Sequence, residues 1–464
     1  MNGNAKIINY NVNAHSIVSA AGRISTTKGG AIELYEKSCN NEEQKNIDLI
    51  YKVLSSGHES VLEHIFINLA FDNVSVFVEQ FMIEFRLASF TVKSRRYVDF
   101  GKMGYYLPDF SQCEEEKKVE EIYRKHMDFL FEEYNYFIQK GIPKEDARFI
   151  LPYSFKSNFY CTVNARELVK IMNEMVYGRG KEYPELVSIG KSLFSQCEDK
   201  MPYLKIEKPY IDSRKIMLEE LKDIEMCFNE NVKTTEDKLV SLIAGTENPE
   251  RIICKAVALN CGIVNEVDIK DSKKQKKVIS KLLKCGRRRE LEQANFTILF
   301  NRISLAGVTH LVRHRMQSVV IPDYIKVCNF EEYVLPNSIK EAGLEERYRN
   351  VFYKSKEFFE NITNKGLYFY DKVYLLLSGM TIPVLTTMNA NELYTFLSLR
   401  TCNRAQWEIK ECGDALLSVL RKKYPVLFSL YGPSCYVTGK CPEGKMNCGL
   451  FQEVYKRYCN EEEE

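Results

Sequence analysis

The chain lacks an excess of either charge: 65 Lys and Arg stand against 63 Asp and Glu in 464 residues, a formal net charge of +2. Such neutrality argues against a generic polyanion binder, so any basic site must be local. No apolar leader is expected, since Met1-Asn2-Gly3-Asn4-Ala5-Lys6 holds no hydrophobic signal region. A long hydrophobic run is missing too. The longest, Val373–Leu385, falls short of the about 20 residues that cross a bilayer, and polar residues interrupt it. No Cys–His pairing accompanies the motifs below, which removes the usual setting for a nucleophilic thiol. Cysteine itself is plentiful. Fifteen cysteines in a large chain without a leader point to reduced thiols rather than a disulfide framework. The expectation is a cytoplasmic, soluble chain whose 45% hydrophobic residues supply large cores.

The pattern that organises the sequence is a duplication. Val308–Lys326 centres on Arg313-His314-Arg315-Met316-Gln317-Ser318, two guanidiniums and an imidazole beside an apolar stretch. Arg offers a rigid fork of donors and His a tunable one, which suits a polyanion or a flavin. Glu84-Phe85-Arg86-Leu87-Ala88-Ser89 lies 229 residues earlier, with Arg86 on Arg315 and Ser89 on Ser318. The same displacement carries Gly57–His64 onto Gly286–Gln293. After one deletion Val334-Leu335-Pro336 answers Tyr106-Leu107-Pro108, and further on Asn389-Ala390-Asn391-Glu392-Leu393 answers Asn164-Ala165-Arg166-Glu167-Leu168. Helical spacing of Ile47, Ile50 and Leu54 ends at Gly57, and alternation of Ile65, Ile67, Leu69 and Phe71 predicts a strand. Phe296, Ile298 and Phe300 repeat that strand. Phe77–Phe85 and Glu114–Gln139 read as helices, and a long amphipathic helix is expected through Phe396, Arg400, Arg404 and Ile409. The expected domains are 1–205 and 239–464, joined by a charged linker over 206–238.

At these residues the chain resembles the flavin-dependent thymidylate synthases. That family carries R-H-R-x-x-S-x-N-E-x-S-x-R after G-H-x-S-x-x-E-H, then A-R-x-x-L-P, N-A-R-x-L, L-R and A-Q-x-E-I. Both halves hold these pieces in order. The resemblance implies an α+β fold in two tandem copies, each a small sheet flanked by helices. It implies FAD as cofactor, NADPH and methylene-tetrahydrofolate as co-substrates, and dUMP as the nucleotide converted to dTMP. It also implies a homodimer reproducing the family's four-domain assembly.

The copies depart from the pattern in opposite ways. The first keeps Ser89, Ser94, Arg96 and Arg148 but has Glu84-Phe85 for Arg-His and Met175 for the L-R arginine. The second keeps Arg313, His314, Arg315, Ser318 and Arg400 but has Asp323, Ile325 and Val373 at the complementary positions. The family scheme therefore implies a composite site between the two domains. In it, Arg86, Ser89, Ser94, Arg96, Arg148 and Arg313 hold the nucleotide, and Arg400 polarises the uracil ring. His58, Ser60, Asn164, Arg166, Arg313, His314, Arg315 and Asn389 take the flavin. A substitution of Met175 by Ala is expected to be almost silent, since that reciprocal site has lost its arginine. Neither copy has the signature's carboxylate, its place being taken by Val92 and Ile321. A flavoenzyme for another pyrimidine nucleotide and a non-catalytic flavin or nucleotide sensor remain as alternatives.

Other features have plainer readings. Arg404 is expected to pair with Glu408 at helical spacing, and His64 to be a satisfied core histidine. The run Lys273-Lys274-Gln275-Lys276-Lys277 reads as a solvated helix face, since no aromatics interleave with it as nucleic-acid binding would need. Glu461–Glu464 reads as a solvated tail. Cys435, Cys441 and Cys448 lie in a Gly/Pro-rich loop, where Cys459 or Cys412 would complete a zinc site; their spacing is wider than a zinc knuckle, and no metal is assigned.

Overall fold

The computed structural model describes residues 3–206, 239–265 and 269–459. Most of the expected linker and the glutamate tail thus lie outside the described residues. Each repeat folds around a four-stranded antiparallel sheet. In the first, β1 (Asn4–Tyr10), β2 (Phe66–Ser75), β3 (Ala88–Val92) and β4 (Lys156–Asn164) take the order β1-β2-β4-β3. In the second, β5 (Val240–Gly245), β6 (Asn295–Ser304), β7 (Gln317–Val320) and β8 (Thr381–Asn389) repeat it as β5-β6-β8-β7. Even the register repeats, with Ala88 opposite Val163 and Gln317 opposite Met388. The architecture is α+β, as expected.

The alternation along β2 buries Ile67, Leu69 and Phe71 on one face and leaves Phe66 exposed. Phe71 stacks on Phe159 of β4 at 4.3 Å between ring centroids. The helix Glu43–Ser55 stops where expected, and Gly57 follows it at φ +81, a left-handed conformation that favours glycine.

The chain forms two compact units whose borders are not those of the repeats. One holds the described residues up to 206 together with Leu335–Ser378; the other holds 239–334 and those from Gly379 onward. The first unit therefore contains a segment of the second repeat. Its helix Glu345–Asn364 packs on the repeat-equivalent helix Glu116–Gln139. Arg347 forms a fork with Glu133 at 2.6 and 2.8 Å, and its guanidinium lies 3.4 Å over the Tyr136 ring. Tyr153 N–H donates to the Leu376 carbonyl and Ser378 N–H to that of Leu151, so backbone bonds bind the inserted segment as well. His126 stacks on Phe358, 4.0 Å apart.

One expected element breaks in two. The helix Ala390–Arg400 stops at Thr401, and a new helix, Trp407–Lys423, begins after Gln406. The Thr401 hydroxyl donates to the Leu397 carbonyl at 2.7 Å, and the Gln406 side chain accepts from Ile409 N–H at 3.1 Å. Both polar side chains serve helix ends better than helix interiors. Arg404 thus stands in the turn before the helix that carries Glu408, whose carboxylate accepts from Ser304 N–H and hydroxyl, each at 2.6 Å. No described helix is long and apolar enough to cross a membrane.

Candidate active site

In the second unit, the Arg313–Arg315 turn is pinned at both ends. Ser304 caps the preceding helix Leu305–Leu311 by accepting from Gly307 N–H, and Glu408 holds Ser304. On the other side, Gln317 donates to the Leu311 carbonyl and accepts from the Thr386 hydroxyl of β8, both at 2.7 Å. Arg313 and Arg315 face outward, while His314 is buried. Asn389 caps the helix Ala390–Arg400 through the N–H of Glu392, so its side-chain oxygen is engaged in a structural bond.

That helix carries Glu392 in its first turn and Arg400 in its last, about 12 Å apart along the axis. His314 bridges them: Nδ1 lies 3.0 Å from Glu392 Oε1, and Nε2 accepts from Arg400 Nε at 3.0 Å. A guanidinium can only donate, so Nε2 carries the lone pair and Nδ1 carries the proton given to Glu392. Burial pushes the imidazole pKa down, Arg400 adds to that, and Glu392 opposes it. The ring is neutral. Arg400 Nη2 also donates to the His310 carbonyl at 3.1 Å. The result is a half-buried guanidinium fixed in orientation by a neutral ring and a buried carboxylate.

The first repeat replaces this chain with hydrocarbon. Phe85 and Met175, both buried, stand for His314 and Arg400, while Glu167 keeps the place of Glu392. Glu84, where the second repeat has Arg313, forms an ion pair with Arg179. The Arg179 guanidinium lies over Phe81 and Phe85 at 4.5 and 5.3 Å. The region is plugged by its own residues, and no motif in the sequence marks Arg179.

The cations retained by the first repeat do gather. Arg96 Nε donates to Glu145 Oε2 at 2.6 Å, and buried Arg148 donates from Nε to the Glu145 carbonyl at 3.0 Å. Ser94 Oγ accepts from Arg96 N–H at 3.3 Å, while Arg86 and Ser89 sit exposed beside and on the edge strand β3. Arg96 can exchange the Glu145 carboxylate for a phosphate, which accepts forked charge-assisted bonds. Neighbouring Arg95 faces the interior, pairing with Glu79, which also accepts from Ser157.

A cavity of about 590 Å³ opens in the same unit, lined among others by Tyr51, Gly57, Glu59, Arg166, Asn173 and Tyr203. Arg166 pairs with Glu63 at 2.6 Å, and His58, Ser60 and His64 are exposed nearby on the chain. His64 is thus no core histidine. Among the described residues, the buried Tyr203 hydroxyl and Asn173 Oδ1 have no partner. Cavity size, an aromatic wall, a guanidinium and two orphaned polar atoms fit a planar heteroaromatic cofactor such as a flavin. Asn164 caps the helix Ala165–Val176 through Glu167 N–H at 2.9 Å. At the equivalent positions of the second repeat, Arg288 lies 4.4 Å over Tyr394, filling the space with side chains.

The basic run forms the helix Ser272–Leu282, where Lys273 and Lys276 line a groove of about 450 Å³ with Arg421. Asp271 already accepts from the first N–H groups of that helix, and Arg421 caps the carbonyls of Phe428 and Tyr431.

Comparison with known proteins agrees with the repeat. The family described as "Thymidylate synthase complementing protein" matches residues 6–203 and again 241–426. The flavin-dependent thymidylate synthase of Clostridium tetani is 30% identical over 240 residues, covering 47% of this chain and 96% of that protein. The one from Geobacter sulfurreducens is 30% identical over 230 residues, covering 47% and 97%. A crystal structure of a UMP/dUMP methylase PolB from Streptomyces cacaoi bound with 5-Br dUMP aligns at 21% identity and TM-score 0.37, over 44% of this chain and 92% of that one. That overlay is too loose to carry any argument.

Proposed function

Since the chain belongs to the thymidylate synthase complementing protein family, we propose that it is a flavin-dependent methyltransferase that converts dUMP to dTMP. Methylene-tetrahydrofolate would supply the carbon and NADPH the electrons. The observation that carries the reading is the Glu392–His314–Arg400 chain, present in one repeat and replaced by Phe85 and Met175 in the other. Each repeat keeps what the other has lost: Arg400 stands in the second, Arg96 and Arg148 in the first.

In this scheme the permanently charged Arg400 stabilises negative charge developing on the pyrimidine. Neutral His314 holds it in place without competing for that charge. Arg96 takes the phosphate once the Glu145 carboxylate yields, Arg148 adds a second guanidinium, and Ser94 and Ser89 add hydroxyls. Arg313 and Arg315 are exposed on either side of His314. The cavity beside Arg166 would hold the flavin, whose reduced form supplies the redox chemistry when bound. A second nucleotide substrate is a real competitor, because Val92 and Ile321 replace the family's carboxylate. Two chains would complete a four-domain dimer.

Purified protein, FAD, dUMP, methylene-tetrahydrofolate and NADPH test the reading together. The expected outcome is nucleotide-dependent NADPH oxidation and a product heavier by one methylene group. Arg400→Lys should abolish turnover, and Arg96→Ala should raise the KM for nucleotide. Oxidation with no new nucleotide mass would refute methylation, and failure to retain flavin would refute the flavoenzyme. Turnover with another pyrimidine nucleotide but not with dUMP would favour the second reading.

A further inference from the structure

The sequence offers three thiols in the Gly/Pro-rich loop, and the structure brings a fourth from elsewhere. Cys402, two residues beyond Arg400, lines a pocket of about 20 Å³ with Cys435, Cys441 and Cys448. Its remaining wall includes Arg404 and Pro433. The two cysteines that sequence spacing suggested are absent from it: Cys412 is fully buried in the helix Trp407–Lys423, and Cys459 ends the helix Phe451–Cys459.

We propose that Cys402, Cys435, Cys441 and Cys448 bind one zinc ion, which ties the C-terminal loop to the end of the helix bearing Arg400. Three observations support it. The pocket has the volume of about one water molecule, room for a single ion and too little for an iron–sulfur cluster or an organic ligand. Donors already point at sulfur: Arg404 N–H lies 3.5 Å from Cys402 Sγ, and Asn403 Nδ2 lies 4.0 Å from Cys448 Sγ. Such donors stabilise thiolate ligands around a metal. The chemistry also fits, four soft sulfurs being a closed structural set for zinc.

Among the described residues no group of three or more such side chains is already spaced to hold an ion. Binding would therefore draw the segment 440–449, with exposed Cys441, inward around Cys402 and Cys435. Each thiol that binds releases its proton to solvent, and no oxidation state changes. The consequence reaches the site proposed above but does not depend on it, since the ion would immobilise Thr401–Arg404 directly after Arg400.

Full-length protein purified under reducing conditions without chelator should contain one zinc per chain by plasma mass spectrometry. Cobalt substitution should give a thiolate-to-cobalt charge-transfer band with tetrahedral d–d bands. Cys402→Ser should lose at least nine-tenths of the metal, while Cys412→Ser and Cys459→Ser keep it. Cys441→Ser, altered on an exposed loop, should lose it too and guards against a folding defect at Cys402. Absence of metal in protein with four reactive thiols, or with disulfides among these cysteines, would overturn the proposal. So would metal that survives Cys402→Ser or leaves with Cys459→Ser. Turnover plays no part in these readouts, so a failed activity assay leaves them intact.

Discussion

The hydrogen-bonded chain around His314 makes a quantitative prediction. His314→Phe removes the acceptor of Arg400 Nε–H and the donor to Glu392, both part of a buried arrangement. A hydrogen bond to a charged group contributes about 1.5–3 kcal/mol, and Phe restores some apolar burial beside Phe396, whose ring lies 4.9 Å from His314. The expected loss is about 2–4 kcal/mol. Arg400→Met, at a half-buried position, should cost about 1–2 kcal/mol by orphaning Nε2. The double variant reproduces the first repeat, where Phe85 and Met175 sit beside a retained Glu167. It should therefore cost less than the sum of the singles by about 1–2 kcal/mol, the coupling expected of residues in contact. The chain's one tryptophan, Trp407, opens a helix of this same unit, so its fluorescence in a urea titration reports the relevant transition. Additivity within about 0.5 kcal/mol would mean that the bridge contributes nothing and would remove the reason for assigning His314 its orienting role.

Further expectations concern the first unit. Burial pushes His126 down to about 3, so below pH 6.5 the unfolded chain takes a proton that the folded ring refuses. Stability should be full above pH 6.5 and fall between 6.5 and about 3 at up to about 1.4 kcal/mol per pH unit; His126→Phe should flatten that part of a urea-midpoint profile. Asp371 behaves oppositely: burial, with Asp109 and Glu185 adding, raises it to about 7, so its cost grows as pH rises from the unfolded value of 3.8 towards 7. Asp371→Asn should stabilise by about 2–4 kcal/mol at pH 8 and hardly at pH 4, and equal midpoint shifts at both would refute this. Met175→Ala, expected from sequence to leave turnover nearly unchanged, should cost about 2–5 kcal/mol in thermal or urea unfolding, because Met175 is fully buried.

The duplication and the strand and helix beginning each motif were legible because they rest on local pattern. Period-two alternation announced β2 and β6, and Asn164 and Asn389 announced the helices they cap. The edge strands β1, β3, β5 and β7 were not, since short strands paired on one side need no strong apolar alternation. The gathering of Arg96 and Arg148 followed from the motifs, but their shared partner Glu145 did not. Glu392 joined His314 only through long-range folding, being 78 residues away in sequence. Arg179 likewise found Glu84 across 95 residues. Cys402 escaped notice for the same reason, standing well before the loop that holds its three companions.

The insertion of Leu335–Ser378 into the first unit has a consequence for biosynthesis. A nascent chain that has released only its first repeat cannot complete that unit's core, because Glu133 and Tyr136 still await Arg347. Folding of the earlier half must wait for more than a hundred further residues to leave the ribosome. Gene fragments divided between the repeats should accordingly yield a poorly folded amino-terminal product, however natural that cut looks in the sequence.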